Sequence, residues 1–270
     1  TSNLRGGPLA FMDRLEHEIA KTGYLSTDIY DVWLNLAFRK VPAKVHAQGI
    51  PIVMRFDGVW NERNFSAQSA LLRYFDNIAF KLRNRVLIEN YRIASGIIFQ
   101  SKFSQNLVLG AFSQSASLRK KSAIIYNGVD LGKFSPKSTT TKTRPGTRHP
   151  KKIRIVVSHK MWPIKRYFQI PSIVLALKSR GHEVCVNVLG GGVRNPAYFF
   201  QDTLSHFKSI VKQSRLEENF KFWGHMHHSK LPEFYCMNDF MLNLSFADPC
   251  PNVVIEALAC GLPVVGPDSG

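Results

Sequence analysis

The sequence has no apolar run approaching the ~18 residues that a membrane-crossing helix needs, so no bilayer-spanning segment is expected. Cysteine is scarce. Cys185, Cys236, Cys250 and Cys260 show no metal-type pairing, which argues against a disulfide scaffold or a zinc ribbon and makes a reducing cytosol the simplest setting. Acidic residues are few, 19 against 36 Lys and Arg, for a formal charge of +17. No zinc-finger or RNP-type signature goes with that excess, and no aromatic-studded basic groove of the kind that single-strand binders use. No charged-then-apolar signal segment opens the chain, which starts Thr-Ser-Asn without Met.

What is present is a globular composition. The 270 residues are 44% hydrophobic, enough for one large or two ordinary domains with a sizeable core. Apolar strand patterns are expected at 51–56, 94–101, 123–127, 153–158, 183–189, 219–224 and 240–245. Helical patterns are expected at 11–22, 66–91, from 102, 167–179, 197–214 and 231–237. Strand and helix alternate, which predicts parallel, doubly wound sheets. Residues 137–151 have no apolar period and are rich in Thr, Pro and Gly, so they read as a linker between a domain at 1–136 and another at 152–270. Seven Lys and Arg crowd residues 137–154 with no acidic neighbour. They read as a face for anionic lipid headgroups, or as solvated surface charge.

The densest chemistry lies at 248–266. Asp248-Pro-Cys250-Pro251-Asn252-Val253 is a loop and helix entrance, with Asn252 as the expected N-cap. Gly261 and Pro263 are the expected stop. The helix between them is apolar almost all round and should be buried. That leaves the Glu256 carboxylate in need of a partner. A helix N-terminus offers free N–H groups and a positive dipole end. Two carboxylates and an anion seat suggest a phosphorylated polyhydroxyl ligand.

Upstream, Lys160 and Lys165 bracket a Pro-containing loop at a strand end, a place where charge-assisted contacts could hold a diphosphate. Gly6-Gly7 would let backbone approach a ligand closely. Asp57, in Arg55-Phe-Asp57-Gly58, ends a strand, where open α/β sheets gather ligands, although Asp-Gly is also an ordinary turn pair. Gly190-Gly-Gly192 lacks the order of a dinucleotide fingerprint. His225, His227 and His228 have no acidic neighbour and no helical spacing, so no metal site is expected.

These motifs resemble the retaining glycosyltransferases of the GT-B fold, the family typified by glycogen, sucrose and lipopolysaccharide glycosyltransferases. The resemblance rests on Asp248 and Glu256 separated by seven residues with their Ala-Leu-Ala-Cys-Gly-Leu-Pro-Val-Val tail. It rests also on the pair Lys160 and Lys165, and on Ile-Tyr-Asn127-Gly-Val-Asp130 followed by Phe134-x-Pro136. The family usually has Glu where Asp248 stands and Arg where Lys160 stands. A point charge therefore replaces a bidentate fork.

The resemblance implies an α/β, GT-B protein, two Rossmann-like doubly wound domains facing across a cleft. It implies transfer of a sugar from a nucleotide-sugar, UDP- or GDP-linked, to an acceptor hydroxyl on a glycan or lipid-linked acceptor. The anomeric configuration would be retained, with no metal or cofactor. Lys160, Lys165, Asp248 and Glu256 take the catalytic roles. Gly7, Asp57, Asn127, His225, Cys250, Pro251, Asn252 and Val253 take donor-binding roles. Lys160, Lys165 and the helix N-terminus would stabilise the departing diphosphate. Glu256 would hold the ribose diol, and Asp248 with the backbone near 250–253 the sugar. The leaving phosphate is a candidate base for the acceptor proton. The family's first strand and C-terminal end have no counterpart in the sequence, so a fragment is expected. Its setting would be cytoplasmic, or peripheral on the cytoplasmic face of a membrane. A basic nucleic-acid-binding protein on a Rossmann-like scaffold and an inactive fragment stay open as alternatives.

Overall fold

The computed structural model describes residues 15–23, 31–58, 70–112, 121–136, 152–193, 202–246 and 248–268. The chain divides into two compact units. Of the described residues, the first unit holds those up to 58 and Tyr74–Asn127; the second holds 70–73 and those from Gly128 on.

In the first unit a helical segment at residues 15–20 (α1) precedes β1 (Trp33–Leu36), α2 (Ala43–Ala47), β2 (Ile52–Phe56), α3 (Ala70–Ile93), β3 (Gly96–Phe99), α4 (Lys102–Phe112) and β4 (Ser122–Ile124). The four strands are parallel in the order β1-β2-β3-β4. Side chains alternate across a strand, so Ile52, Met54 and Phe56 of β2 point one way. There they meet Val45 of α2, Leu87 and Tyr91 of α3 and Val108 of α4. Phe56 stacks edge-on against Tyr91, with ring centroids 5.8 Å apart. β1 carries no signal that sequence reading used; Trp-Leu-Asn-Leu is short, and its backbone pairs along β2.

The second unit holds β5 (Lys152–Ser158), α5 (Ile170–Ser179), β6 (Glu183–Leu189), α6 (Thr203–Gln213), β7 (Phe220–Gly224), α7 (Leu231–Cys236), β8 (Phe240–Leu242), α8 (Asn252–Ala259) and β9 (Val264–Val265). All strands are parallel, in the order β7-β6-β5-β8-β9. β5 is buried on both faces, as an inner strand of a parallel sheet should be. Its Ile155 and Val157 join Val174 of α5 and Phe207 and Val211 of α6. Its Val156 joins Tyr235 of α7 and Ala257 of α8 on the other face. The strand order reverses between β5 and β8, and at that point the carboxyl ends of an open α/β sheet leave a crevice for ligands.

Some elements differ from the sequence expectation. The expected helix 167–179 opens as a 3-10 turn, Tyr167–Gln169, and becomes α-helical at Ile170. Pro171 sets that start, because a residue without N–H fits only the first turn. The strand expected at 240–245 stops at Leu242. Beyond it the Asn243 side chain accepts from the Ser245 hydroxyl at 2.6 Å and bends the chain. The helix at 252–259 is buried on one side only, through Glu256 and Ala257, while Leu258 stands exposed.

Candidate active site

The switch point is built by four segments of the second unit: the β5–α5 loop, the β8–α8 loop, α7 with the turn before it, and the first turns of α8. The β5–α5 loop is locked by backbone. Met161 N–H donates to Gly191 O at 3.0 Å, and Phe246 N–H of the β8–α8 loop donates to Ile164 O at 2.9 Å. Two 3-10 turns flank Arg166, whose φ of 49° lies in the left-handed region. A non-glycine residue there is strained. The Arg166 guanidinium sits 4.6 Å above the Phe246 ring, a cation–π contact that joins the two loops.

The loop thereby delivers Lys165 to Asp248. Lys165 Nζ donates to Asp248 Oδ2, and both side chains are mostly buried. Lys160, five residues earlier, is exposed. His159 directly precedes Lys160 and feels the Lys165 charge. Its Nδ1–H donates to Lys160 O at 3.1 Å, while its Nε2 is sealed from solvent with no partner among the described residues. Burial, and then the Lys165 charge, push the His159 pKa down to about 3. The ring is neutral at physiological pH and adds no repulsion to Lys165.

The second carboxylate is held from two sides. His228 Nε2–H donates to Glu256 Oε1 at 3.1 Å, and the Tyr235 hydroxyl donates to Oε2 at 3.5 Å. Ser158, the last residue of β5, lies 3.3 Å from the Tyr235 oxygen. Tyr235 has one proton and gives it to Glu256, so the Ser158 hydroxyl is the donor in that pair. Burial, followed by the Glu256 charge, raises the Tyr235 pKa. Phe134 packs edge-on against His228, with centroids 5.0 Å apart. Pro136 packs beside Gly261 at the end of α8. The Phe-x-Pro motif is thus the wall behind this carboxylate.

α8 begins differently from the expectation. Pro251 is the N-cap, with no side-chain cap hydrogen bond, and Asn252 is the first helical residue. Pro251 holds φ at −70°, which suits a helix entrance without a donor to lose. The helix end follows the expectation. Gly261 takes φ +71°, Leu262 N–H donates to Ala257 O at 3.0 Å and Gly261 N–H to Leu258 O at 2.9 Å, a Schellman stop.

The glycine run 190–192 is a packing device. Gly190 has φ +105°, and a Cβ there would lie 2.1 Å from His159 O. A Cβ on Gly191 would lie 2.9 Å from His225 Nε2, and one on Gly192 1.9 Å from Asp202 Oδ1. The three histidines go separate ways: His225 lies against Gly191, His227 caps the turn through Ser229, and His228 binds Glu256. No group of three or more His, Cys, Asp or Glu suited to a metal ion occurs among the described residues. All four cysteines are free thiols.

The structure therefore brings together, in the second unit, Lys160, Lys165, Asp248, Cys250, Pro251, Asn252, Val253 and Glu256 around one switch point. His225 borders the neighbouring glycine loop. Asp57 and Asn127 belong to the first unit, where both bind Arg55 at the carboxyl ends of β2 and β4. Gly7 lies outside the described residues. Sequence reading missed His228, Tyr235 and Ser158 as partners of Glu256, and His159 beside Lys165.

Residues 163–270 match the family model described as glycosyl transferases group 1. The matched segment contains Lys165, Asp248 and Glu256, while Lys160 lies just ahead of it. No curated protein matches the chain. Among solved structures it is similar to Anabaena Alr3699/HepE in complex with UDP, at 19% identity and a TM-score of 0.61, covering 95% of this chain and 64% of that one. It is similar to sucrose-phosphate synthase from Thermosynechococcus elongatus, at 19% identity and a TM-score of 0.57, covering 96% and 60%. It is also similar to the catalytic domain of starch synthase IV from Arabidopsis thaliana bound to ADP and acarbose, at 12% identity and a TM-score of 0.61, covering 98% and 62%. At these identities the likeness shows the fold, which is GT-B: two Rossmann-like units with parallel sheets. The chain spans 60–64% of the length of these structures.

Proposed function

We propose that this chain moves a sugar from a nucleotide-sugar, UDP- or GDP-linked, to an acceptor hydroxyl of a glycan or lipid-linked acceptor, with retention at the anomeric carbon. The observation that carries this reading is the pairing at the switch point. One carboxylate, Asp248, is bound to a lysine, and another, Glu256, is buried on the next helix within the group 1 segment.

The bond between the anomeric carbon and the diphosphate oxygen breaks, and its electron pair leaves with the diphosphate. Lys160, Lys165 and the N-terminal end of α8 stabilise that charge as it grows. The acceptor oxygen bonds to the anomeric carbon on the face the diphosphate leaves, and its proton passes to the departing phosphate. Glu256 accepts from the ribose hydroxyls. Asp248 and the backbone near 250–253 hold the transferred sugar. Cationic side chains supply the charge that a metal would otherwise supply, so no metal is needed. HepE in complex with UDP and glucose supports a nucleotide and a sugar as the ligands.

No helix among the described residues is long and apolar enough to cross a membrane. In the structure Lys152 pairs with Glu183 at 2.7 Å and Arg154 with Asp239 at 3.2 Å, so these two of the basic run do have acidic neighbours, across strands that the sequence does not place side by side. The net charge of +17 and the basic residues at 137–151 support a cytoplasmic protein that touches anionic headgroups from the surface.

The test is transfer itself. The chain is incubated with UDP-glucose, UDP-N-acetylglucosamine or GDP-mannose and a panel of glycan and glycolipid acceptors, with and without a chelator. Proton NMR reads the anomer of the product. An α-linked product from an α-linked donor, formed equally with chelator, is expected. A β-linked product, or a rate abolished by chelation, would overturn retention or metal independence respectively.

A further inference from the structure

One charged residue of the first unit has no role in the chemistry above. Arg55 is the fourth residue of β2, in the otherwise apolar Ile-Val-Met-Arg-Phe, and it is buried at 3% exposure. A buried guanidinium is costly unless its donors are taken up. They are taken up at the carboxyl ends of three neighbouring strands. Nε–H donates to Asp57 Oδ1 at 2.8 Å just beyond β2. Nη2 donates to Gln100 Oε1 at 3.1 Å just beyond β3, and to Asn127 Oδ1 at 2.5 Å beyond β4. Gln100 closes the ring, since its Nε2–H donates to the Asp57 backbone carbonyl at 2.9 Å.

The arrangement is asymmetric. Asp57 gives one carboxylate oxygen to Arg55 and keeps Oδ2 without a partner among the described residues. Its side chain is 22% exposed, against 3% for Arg55. A pair built for stability alone would satisfy both oxygens with the two-pronged fork that Arg offers. Here the fork is turned across the strand ends, and Asp57 keeps part of its side chain exposed.

We propose that Arg55 is a positioning residue, which fixes Asp57 at the carboxyl ends of β2, β3 and β4 with one oxygen presented to a hydroxyl of a polyhydroxylated ligand. The proposal rests on the reading that this chain handles sugars. Among the described residues Arg55 is the charged group that binds Asp57; Gln100 and Asn127, which also bind Arg55, are neutral. The Asp57 pKa is raised on balance, by burial first, and the Arg55 charge and hydrogen bond work against that rise. Arg55 thus favours the charged form of a carboxylate that burial disfavours.

The experiment follows the Asp57 carboxyl carbon by 13C NMR against pH, in the full chain as wild type, Arg55→Lys and Arg55→Gln. Loss of a neighbouring opposite charge shifts a carboxylate by about 1–3 pH units. Arg55→Gln is expected to raise the Asp57 midpoint within that range, and Arg55→Lys by less. An unchanged midpoint in Arg55→Gln would overturn the proposal. This readout needs no substrate, so it stands even if the sugar-transfer reading fails.

Where transfer is measurable, the acid limb of kcat/KM should move to higher pH in Arg55→Gln, with partial rescue by Arg55→Lys. Should Arg55→Gln fail to fold, Asp57→Asn decides. A loss of rate above tenfold in a variant that keeps its Tm within a few degrees supports the ligand role. A normal rate with a collapsed Tm marks a structural ion pair and overturns it.

Discussion

Glu256 Oε1 accepts from His228 Nε2 at 3.1 Å, across 28 positions of chain. The carboxylate is nearly sealed, at 7% side-chain exposure, while the imidazole is half exposed. His228 is thus the accessible side of a buried acceptor. Its hydrogen bond restrains the Glu256 carboxylate, the group proposed to bind ribose. His228→Ala should weaken nucleotide binding by about 1 kcal/mol, the net worth of one hydrogen bond. Calorimetric titration checks it. A loss as large as that of Glu256→Ala would mean that His228 touches the ligand itself.

Lys165 and Asp248 form the other pair, and it is mostly buried. Lys165→Ala should lower kcat/KM by more than tenfold. The stability cost should be near 1 kcal/mol, because the pair keeps some solvent. Initial rates and thermal melts separate the two. A rate loss that tracks unfolding would remove the diphosphate role.

His159 makes acid stability a test of the loop. Its folded pKa is about 3, below the ordinary value of 6.5. Between those values the unfolded chain binds a proton that the folded chain refuses, so stability rises with pH through this window. The contribution is complete above pH 6.5 and is lost as pH falls towards 3. It amounts to about 2 kcal/mol lost by pH 5. Denaturant melts from pH 7 to pH 4 should show this slope, and His159→Leu should flatten it. An equal slope in the variant would place the acid sensitivity elsewhere.

Gly190 should tolerate no side chain. Its φ of +105° and a Cβ that would lie 2.1 Å from His159 O both stand against substitution. Gly190→Ala should cost about 2 kcal/mol or more, read as a lowered denaturation midpoint. Gly181→Ala is the control. It shares a positive φ, +83°, but has open space around it. Equal losses in both variants would mean that backbone strain alone matters.

Much of this was legible in the sequence because it is local. The run 183–189 is β6 residue for residue, and Gly261 with Pro263 stopped α8 where expected. The need for a partner on Glu256 followed from a carboxylate in an apolar helix. The identity of that partner did not, because His228 sits on a separate 3-10 turn and reaches Glu256 only through the fold. Asn252 was expected to cap α8, yet the cap is Pro251. A good cap residue and a rigid entrance stood side by side, and the fixed φ of proline decided which came first. Arg55 drew no reading of its own, because the strand ends that hold it are 45 and 72 residues away. The Lys165–Asp248 pair, 83 residues apart, likewise needed the sheet order to bring it together.

The most direct test is calorimetric titration of this chain with UDP, GDP, ADP and CMP at physiological salt, beside Glu256→Ala. Saturable binding of one nucleotide is expected. In Glu256→Ala it should weaken by about 2–4 kcal/mol, the cost of removing a charged acceptor from a buried site. That is about 30- to 1,000-fold in Kd. Equal affinity in the wild type and in a folded Glu256→Ala would contradict the ribose contact, and with it the nucleotide-sugar reading of the switch point.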